Sequence, residues 1–334
     1  MGSSERHRDT ADNKEMEEGL DKDERLESQS DKDHRGVRNK EKESDRLLLF
    51  ADDIMSTTRR KEKRELREVM ENKFIKLQKY CNAQRLKLNS SKTHFMCIWS
   101  SQKRGGGVLK EVKMGQSLVE ESEKERVLGV QVSNRLQNWN PQVQKILQSC
   151  SVKLNGLKAG GKHFPFKVKL ETAKAVHSGT MFYGAECWGP GLSKPQIKSL
   201  QASQNKMLRW VVGCRAREMR SKDLLKETGE LSVNQTIALK VLRRGLSVLR
   251  TEKPINTYKT LMKTEMTEER SLRSSSNPMK VKIEGSYRNK HWKNAFLELF
   301  KKLPEEVKNA NMKKAGGKKK LKSWIKANVE KYVD

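Results

Sequence analysis

The chain has 334 residues and a formal net charge of +29, with 34% charged, 34% apolar and only 6% aromatic residues. So little apolar content excludes one core that spans the whole chain, and no apolar run reaches the ~18 residues of a membrane span. Residues 1–46 hold 11 Lys and Arg against 15 Asp and Glu, so the remainder carries a net charge of +33. This excess predicts nucleic acid as a partner, over the alternative of lysines that face only solvent.

Five cysteines are present and none forms a Cys-x-x-Cys pair, so no zinc site is expected. The charged N-terminus is unlike a secretory signal. With an odd number of thiols, these features predict an intracellular protein, nuclear and/or cytoplasmic, with no membrane partner. They leave the oligomeric state open.

The predicted elements begin after a charged leader. Residues 1–45 have almost no apolar side chains, which predicts disorder. The run 47–51 (Leu-Leu-Leu-Phe-Ala) is short, apolar and bounded by charge, as is typical of a buried strand. Two acidic residues and then Ile54 and Met55 follow, so the sequence predicts a hairpin of two strands around a tight acidic turn.

A helix is predicted for residues 59–83, because apolar side chains recur there at helical spacing. Its apolar stripe consists of Leu66, Met70, Phe74, Leu77 and Cys81. Residues 93–99 are predicted as a buried strand, 112–119 as a small hairpin around Gly115, and 127–132 as a further strand.

After Trp139 the pattern becomes helical. The predicted helices have apolar stripes within residues 143–157, 165–181, 193–212, 232–249 and 292–300. Ser232 and Asn234 are candidate caps of the fourth. Residues 264–286 are predicted as a linker, and Gly316 and Gly317 as a break before a last short helix near Trp324.

Asp52 and Asp53 are adjacent acidic residues between two apolar runs. Neighbouring carboxylates repel each other and lose solvation when partly buried, and divalent cations relieve both effects. Mg²⁺ prefers carboxylate and phosphate oxygens, and two such ions can activate a hydroxyl and stabilise a leaving pyrophosphate. An isolated Asp-Asp pair is more often a solvated turn than a metal site. A metal-binding role can therefore be inferred only from the surrounding sequence.

That surrounding sequence resembles the reverse transcriptases of non-LTR (LINE-like) retrotransposons, a class of transposable element. Residues 50–54 (Phe-Ala-Asp-Asp-Ile) resemble their (Tyr/Phe)-Ala-Asp-Asp hairpin, and 88–96 the Leu-Asn-x-x-Lys-Thr-x-x-Met element that follows. Residues 127–130 (Val-Leu-Gly-Val) resemble the Leu-Gly strand of the palm. Residues 183–188 (Tyr-Gly-Ala-Glu-Cys-Trp) and 200–209 resemble the thumb-side signature and its continuation. The order and spacing of these motifs agree with those of the family from about residue 46 to 250.

The resemblance implies an RNA-directed DNA polymerase, a nucleotidyltransferase that uses two Mg²⁺ ions, an RNA template and a DNA primer. It implies an α+β fold in which a partial palm sheet precedes a mainly helical thumb-like region. Asp52 would be the main metal ligand and Asp53 would assist it. Lys92 would neutralise or protonate the leaving pyrophosphate, although a solvated lysine beside a strand is an equal alternative.

Two basic clusters are candidate nucleic-acid contacts. Lys206, Arg209, Arg215 and Arg217 lie on and after the third predicted helix and could follow a phosphate backbone, or form a solvated helix face. A second cluster lies near the C-terminus and could bind nucleic acid, act as a nuclear localisation signal or be a soluble tail. Its residues are Lys318, Lys319 and Lys320.

The expected organisation is a disordered leader (1–45), a partial palm (46–135), a thumb-like region (136–250) and a basic helical and linker segment (251–334). The family's palm has a further metal-binding aspartate on an earlier strand, and residues 1–51 offer no apolar strand to carry it. The chain is therefore expected to be a fragment that is inactive alone. Alternatives are a non-enzymatic nucleic-acid-binding protein derived from that fragment, or a decayed product without function.

Overall fold

The computed structural model describes part of the chain: residues 44–50, 53–60, 62–98, 109–115, 117–135, 138–216, 218–266, 291–310 and 315–329. Within these ranges the fold is α+β, as predicted, with small two-stranded sheets and many helices. The chain divides into two compact units, Met1–Leu88 with Val112–Ser117, and Asn89–Glu111 with Leu118–Asp334. The predicted disordered leader, 1–45, falls almost entirely outside the described residues.

The strands pair as short hairpins. They are β1 (Ser44–Phe50), β2 (Asp53–Arg59), β3 (Glu111–Met114), β4 (Ser117–Glu120), β5 (Lys124–Val127) and β6 (Val130–Ser133). β1 and β2 are antiparallel with Phe50 opposite Asp53, which confirms the predicted hairpin. β3 and β4 form the predicted sheet around Gly115. β5 and β6 are antiparallel with Val127 opposite Val130.

Most of the described chain is helical. The helices are α1 (Lys63–Ala83), α2 (Asn140–Gly160), α3 (Phe166–Ala173), α4 (Gly179–Met181), α5 (Ala185–Trp188), α6 (Lys194–Val212), α7 (Ser221–Thr228), α8 (Val233–Thr251), α9 (Ile255–Met266), α10 (Trp292–Lys301), α11 (Glu305–Lys308) and α12 (Ala315–Asn328). Among them, none is long and apolar enough to cross a membrane.

The apolar run of β1 is exposed, although the sequence predicted a buried strand. The side chains of Leu49 and Phe50 are 68% and 64% exposed. Because strand side chains alternate between two faces, a single helix beside a two-stranded ribbon covers at most one of them. Here α1 packs on β2, where Lys73 Nζ donates to the Thr58 hydroxyl, and leaves the run of β1 in solvent.

Two further strand predictions were wrong. Residues 93–98 form only an isolated bridge, in which Phe95 pairs with Glu121, rather than a strand. Residues 127–132 are not one strand, because Leu128 and Gly129 have φ angles of 46° and 86° and form the turn between β5 and β6. Two consecutive residues with positive φ match the twist of a tight hairpin.

The helices of the second unit enclose its main core. α2 begins just after Trp139 as predicted and buries Val143, Ile146 and Cys150. α6 and α8 begin at capping boxes, where Ser193 pairs with Gln196 and Ser232 with Gln235. Both boxes satisfy backbone N–H groups that the first helical turn leaves without partners. Ser232 is therefore confirmed as a cap.

The predicted helix 165–181 contains a π-helical segment. α3 runs into Lys174–Ser178, which has π geometry, and then into α4. His177 lies in this segment and is fully buried. Single π turns inside helices commonly accommodate one extra residue without ending the helix.

The C-terminal helices pack into the same core as α8. α12 buries Leu321 and Ile325 completely, and α10 buries Phe296 against Gly245 of α8. α12 begins at Ala315, so the predicted break at the following two glycines is wrong. Most of the predicted linker, 264–286, lies outside the described residues.

Candidate nucleic-acid interface

Of the three residues predicted to be catalytic, two are described. Asp53 is the first residue of β2, is exposed and pairs with Phe50. Lys92 is exposed and ends a short 3₁₀ turn, Ser90–Lys92, in the other compact unit. Asp52 lies outside the described residues. That these three side chains act together stays a prediction.

The Asp45 carboxylate is bound by two cations. Arg60 donates to Asp45 Oδ2 at 2.8 Å, and Lys73 Nζ lies 2.9 Å from Asp45 Oδ1. Burial alone would raise the pKa of the Asp45 carboxyl, but hydrogen bonds from Arg60 and Lys73 outweigh burial and lower it. Asp45 thus ties the start of β1 to α1 and to the residue after β2.

Acidic and sulfur ligands do not gather elsewhere in the described ranges, where no three His, Cys, Asp or Glu side chains are grouped for a metal ion. His94 Nδ1 lies 3.8 Å from a carboxylate oxygen of Glu125. The backbone N–H of Cys97 donates to Glu121 Oε1 at 3.2 Å. Burial and then the Glu121 charge raise the pKa of the Cys97 thiol to about 11, so it stays protonated at neutral pH.

Two motifs that carry the family resemblance contact each other. The Tyr183 hydroxyl donates to the Leu128 carbonyl at 3.0 Å, and Trp188 Nε1 donates to the Tyr183 carbonyl at 3.0 Å. A Cβ on Gly129 would lie 3.1 Å from the Tyr183 ring, so glycine permits this close approach. Trp188 is fully buried. The Leu-Gly turn and the Tyr-Gly-x-Glu-x-Trp segment therefore form one packed unit.

A basic cleft of about 490 Å³ opens over the second apolar cluster of the helical unit. That cluster joins α2, α3, α6 and α7, and its buried residues include Leu154, Leu170 and Leu208. We define the basic cleft by its lining residues, which are Lys158, Lys162, Lys169, Lys206, Arg209, Trp210, Gly213, Cys214 and Ala216. Five of these nine residues are cationic and none is acidic.

The charges of the cleft are not neutralised from within the described part of the chain. None of its four lysines or its arginine forms an ion pair with a described acidic residue. Moreover, Arg209 Nε is buried and has no hydrogen-bond partner among the described residues. Because like charges that converge repel each other, a bound anion would stabilise the cleft.

An aromatic ring forms one wall of the cleft. Lys169 Nζ lies 5.8 Å from the centroid of the Trp210 ring, within the range of a cation–π contact. A Cβ on Gly161 would lie 2.9 Å from Trp210 and 3.2 Å from Phe164, so both rings pack over the same glycine. Phe164 is 42% exposed and Phe166 is 44% exposed. Aromatic surface therefore extends from the cleft into the loop between α2 and α3.

The predicted basic residues fall into three groups. Lys206 and Arg209 line the cleft. Arg215 is exposed, lies 4.0 Å from Glu218 and is outside the lining, while Arg217 lies outside the described residues. The second cluster lies on the exposed side of α12 and does not line the cleft: Lys318, Lys319 and Lys320.

Sequence reasoning missed the other three cations of the cleft, Lys158, Lys162 and Lys169, and its aromatic wall, Trp210. A local signal exists in residues 162–169 (Lys-His-Phe-Pro-Phe-Lys-Val-Lys), where three lysines are interspersed with two phenylalanines. Such a pattern is typical of surfaces that bind unpaired nucleic acid.

A purely structural role explains part of the basic charge. Lys158 and Arg209 lie in the last turns of α2 and α6, where cations are favoured by the helix dipole. This effect acts within a single helix, however, and does not account for Lys162 in the loop or Lys169 within α3. The convergence of cations from four segments on one cleft favours binding of an external anion.

Comparison with known proteins identifies no relative: no protein-family model, no curated protein and no solved structure matches this chain.

Proposed function

We propose that this chain is part of an RNA-directed DNA polymerase of the non-LTR retroelement kind. It would comprise the Asp-Asp hairpin of the palm and the thumb, and would bind an RNA template and a DNA primer. Two Mg²⁺ ions held by Asp52 and Asp53 would support nucleotidyl transfer in the intact protein.

The observation that carries the proposal is the pairing of β1 with β2. Phe50 lies opposite Asp53, so Asp53 falls at the closed end of an antiparallel hairpin. The hairpin is followed by α1 and later by a helical region, in the order that the resemblance implies. The contact between the Leu128-Gly129 turn and Tyr183 adds support, since it joins two segments of the same resemblance.

The second candidate is a nucleic-acid-binding protein without polymerase activity. The basic cleft favours it, because five cations and an aromatic wall can bind nucleic acid with no metal or nucleotide chemistry. The two candidates differ in whether Asp52 matters for function.

A primer-extension assay on an RNA template with Mg²⁺ separates the candidates. It compares the wild type, Asp52→Ala and the control Asp223→Ala, which removes an exposed carboxylate at the first turn of α7. RNA binding is measured against NaCl concentration, and the melting temperature with and without Mg²⁺. We expect salt-sensitive RNA binding by all three proteins, and a rise in melting temperature with Mg²⁺ that only Asp52→Ala loses.

Extension by the wild type and Asp223→Ala, but not by Asp52→Ala, would establish the polymerase in this chain. If Mg²⁺ shifts all three proteins equally and none extends a primer, while RNA binding persists, the non-enzymatic candidate is correct. Loss of RNA binding in all three would contradict both.

A further inference from the structure

We propose that the basic cleft is a binding pocket for one unpaired nucleotide of a single strand, with phosphate at Arg209 and Lys206 and the base against Trp210. This inference rests on the proposed function only in taking nucleic acid as the ligand. The inference adds that the nucleic acid is single-stranded, and it names the residues that select a single strand over a duplex.

The first argument is the size of the cleft. A volume of about 490 Å³ lies within the range of roughly 300–1,000 Å³ that takes drug-sized ligands, and a single nucleotide is of that size. A duplex is far too wide to enter and could contact only the rim. The aromatic wall lies among the lining residues, so a base that enters the cleft can reach it.

The second argument is the chemistry of the lining. Arg209 lines the cleft, and phosphate oxygens are the acceptors that a guanidinium group binds best. Lys206 lies one helical turn before Arg209 on α6 and adds a second charge to the same lining.

The third argument is the aromatic surface. Every base has a π face, and stacking on an aromatic side chain is the usual way in which unpaired bases are held without regard to sequence. Trp210 offers such a face inside the cleft, and Lys169 over its ring can pair with the phosphate or the base edge. Phe164 packs beside Trp210 and is partly exposed, so a neighbouring base of the same strand can contact it.

A strand rather than a free nucleotide fits the wider surroundings. Phe166 and Lys167 are exposed and add further aromatic and basic surface outside the lining of the cleft. A free nucleotide would use only the cleft, whereas a strand gains from the phosphates on either side of it.

The test is a set of binding curves for the full chain. Its ligands are a fluorescent single-stranded RNA, the same sequence as a duplex, and free AMP. The variants are Trp210→Leu, which removes the π face and keeps apolar packing on Gly161, Lys206→Gln and Arg209→Gln. The control is Lys198→Gln, which removes an exposed lysine from the same helix, outside the cleft.

We expect the wild type to prefer the single strand, and Trp210→Leu to weaken single-strand binding by about 5- to 100-fold, in keeping with the loss of one stacked base. Its dependence on salt should not change. Lys206→Gln and Arg209→Gln should each weaken binding and lower the slope of log K against log salt by about 0.7, the value for one phosphate of a single strand. Lys198→Gln should behave as the wild type, and AMP should bind far more weakly than the strand.

Alkylation gives a readout at the cleft itself that is independent of these variants. Cys214 lines the cleft, whereas Cys187 is exposed outside it. Saturating single-stranded RNA should slow iodoacetamide labelling of Cys214 in the wild type and leave Cys187 unaffected.

Three outcomes would overturn the inference. In the first, Trp210→Leu binds the single strand as tightly as the wild type does. In the second, the cleft variants lose equal affinity for duplex and single strand. The third outcome is labelling of Cys214 that RNA does not slow. In each case salt-sensitive RNA binding by the wild type would leave the proposed function intact. If the wild type binds no RNA at all, the proposed function fails with it.

Discussion

His177 is a fully buried histidine in the π-helical segment between α3 and α4. Its Nε2 lies 3.4 Å from the Ser203 hydroxyl, and its Nδ1 has no partner among the described residues. The Cys150 thiol donates to the His177 carbonyl. Burial, with the nearby Lys153 charge, lowers the pKa of His177 to about 4, so the ring is neutral in the folded protein at pH 7.

Acidification should therefore destabilise the fold through His177. Between pH 6.5 and pH 4 the unfolded chain binds a proton that the folded chain does not, so stability rises with pH in this window and falls on acidification. From pH 7 to pH 4 the loss is about 3 kcal/mol. Denaturant unfolding of the wild type and His177→Leu across this range measures it, since the variant should show a flatter dependence on pH.

His163→Leu is the matched control, because His163 is exposed in the loop before α3. Its unfolding free energy should vary with pH as that of the wild type does. If His177→Leu keeps the full slope, the acid sensitivity arises from other groups and the neutral state of His177 is not its cause.

Only some residues of the basic cleft could be predicted from the sequence as nucleic-acid contacts. Lys206 and Arg209 were found because they are close together on one predicted helix. Lys158, Lys162 and Lys169 were missed because they come from α2, the following loop and α3, and only tertiary packing brings them to α6. Local spacing carries no information on that packing.

Gly245 lets helix α10 pack closely against helix α8. It lies inside α8, where a Cβ would overlap the Phe296 ring of α10. Gly156 lies inside α2, where a Cβ would meet nothing within 4 Å. Alanine forms helices better than glycine by about 1 kcal/mol. Only the contact with α10 can therefore make alanine unfavourable at position 245.

The two alanine substitutions should therefore have opposite signs. Gly245→Ala is expected to destabilise the protein by about 1–3 kcal/mol through overpacking, and Gly156→Ala to stabilise it by up to about 1 kcal/mol. Thermal and denaturant unfolding of the two variants measures both effects. Equal stabilisation by both would mean that α10 does not pack against α8 as described.

Helices were predicted better than strands, and the reason is physical. The stripes of α2, α6 and α8 span several turns, so periodicity identifies them with little ambiguity. The run 127–132 is too short for periodicity to identify it in the same way. Leu128 takes a positive φ, which is rare for a branched side chain, and this single residue makes the run a hairpin instead of one strand. The Tyr183 hydroxyl that binds the Leu128 carbonyl comes from 55 residues away and could not be inferred locally.

Burial was the least predictable property of the hairpin formed by β1 and β2. Its pairing follows from the two apolar runs on either side of the acidic residues, and the antiparallel ladder confirms that pairing. Whether Leu49 and Phe50 are covered depends on the elements that pack beside them, and in the described unit they are exposed. The catalytic role of Asp52 stays a prediction, which the primer-extension assay tests.

At the scale of the whole molecule, electrostatics are dominated by excess positive charge. The net charge is +29, and it rises to +33 when residues 1–46 are left out. Favourable pairs such as Arg60 with Asp45 are partly exposed and contribute little each. Repulsion between lysines and arginines is greater in the folded chain than in the expanded unfolded chain, so the net charge should oppose folding.

NaCl should therefore stabilise the folded protein. The Debye length falls from about 10 Å at 0.1 M to about 3 Å at 1 M, which screens repulsion between exposed cations. The matched variant replaces Lys318, Lys319 and Lys320 of α12 by Gln, a residue of similar helix propensity, and lowers the net charge to +26. It should melt at a higher temperature than the wild type at 0.05 M NaCl, and the two melting temperatures should converge at 1 M. A wild-type melting temperature that falls with NaCl would mean that ion pairs outweigh the net charge.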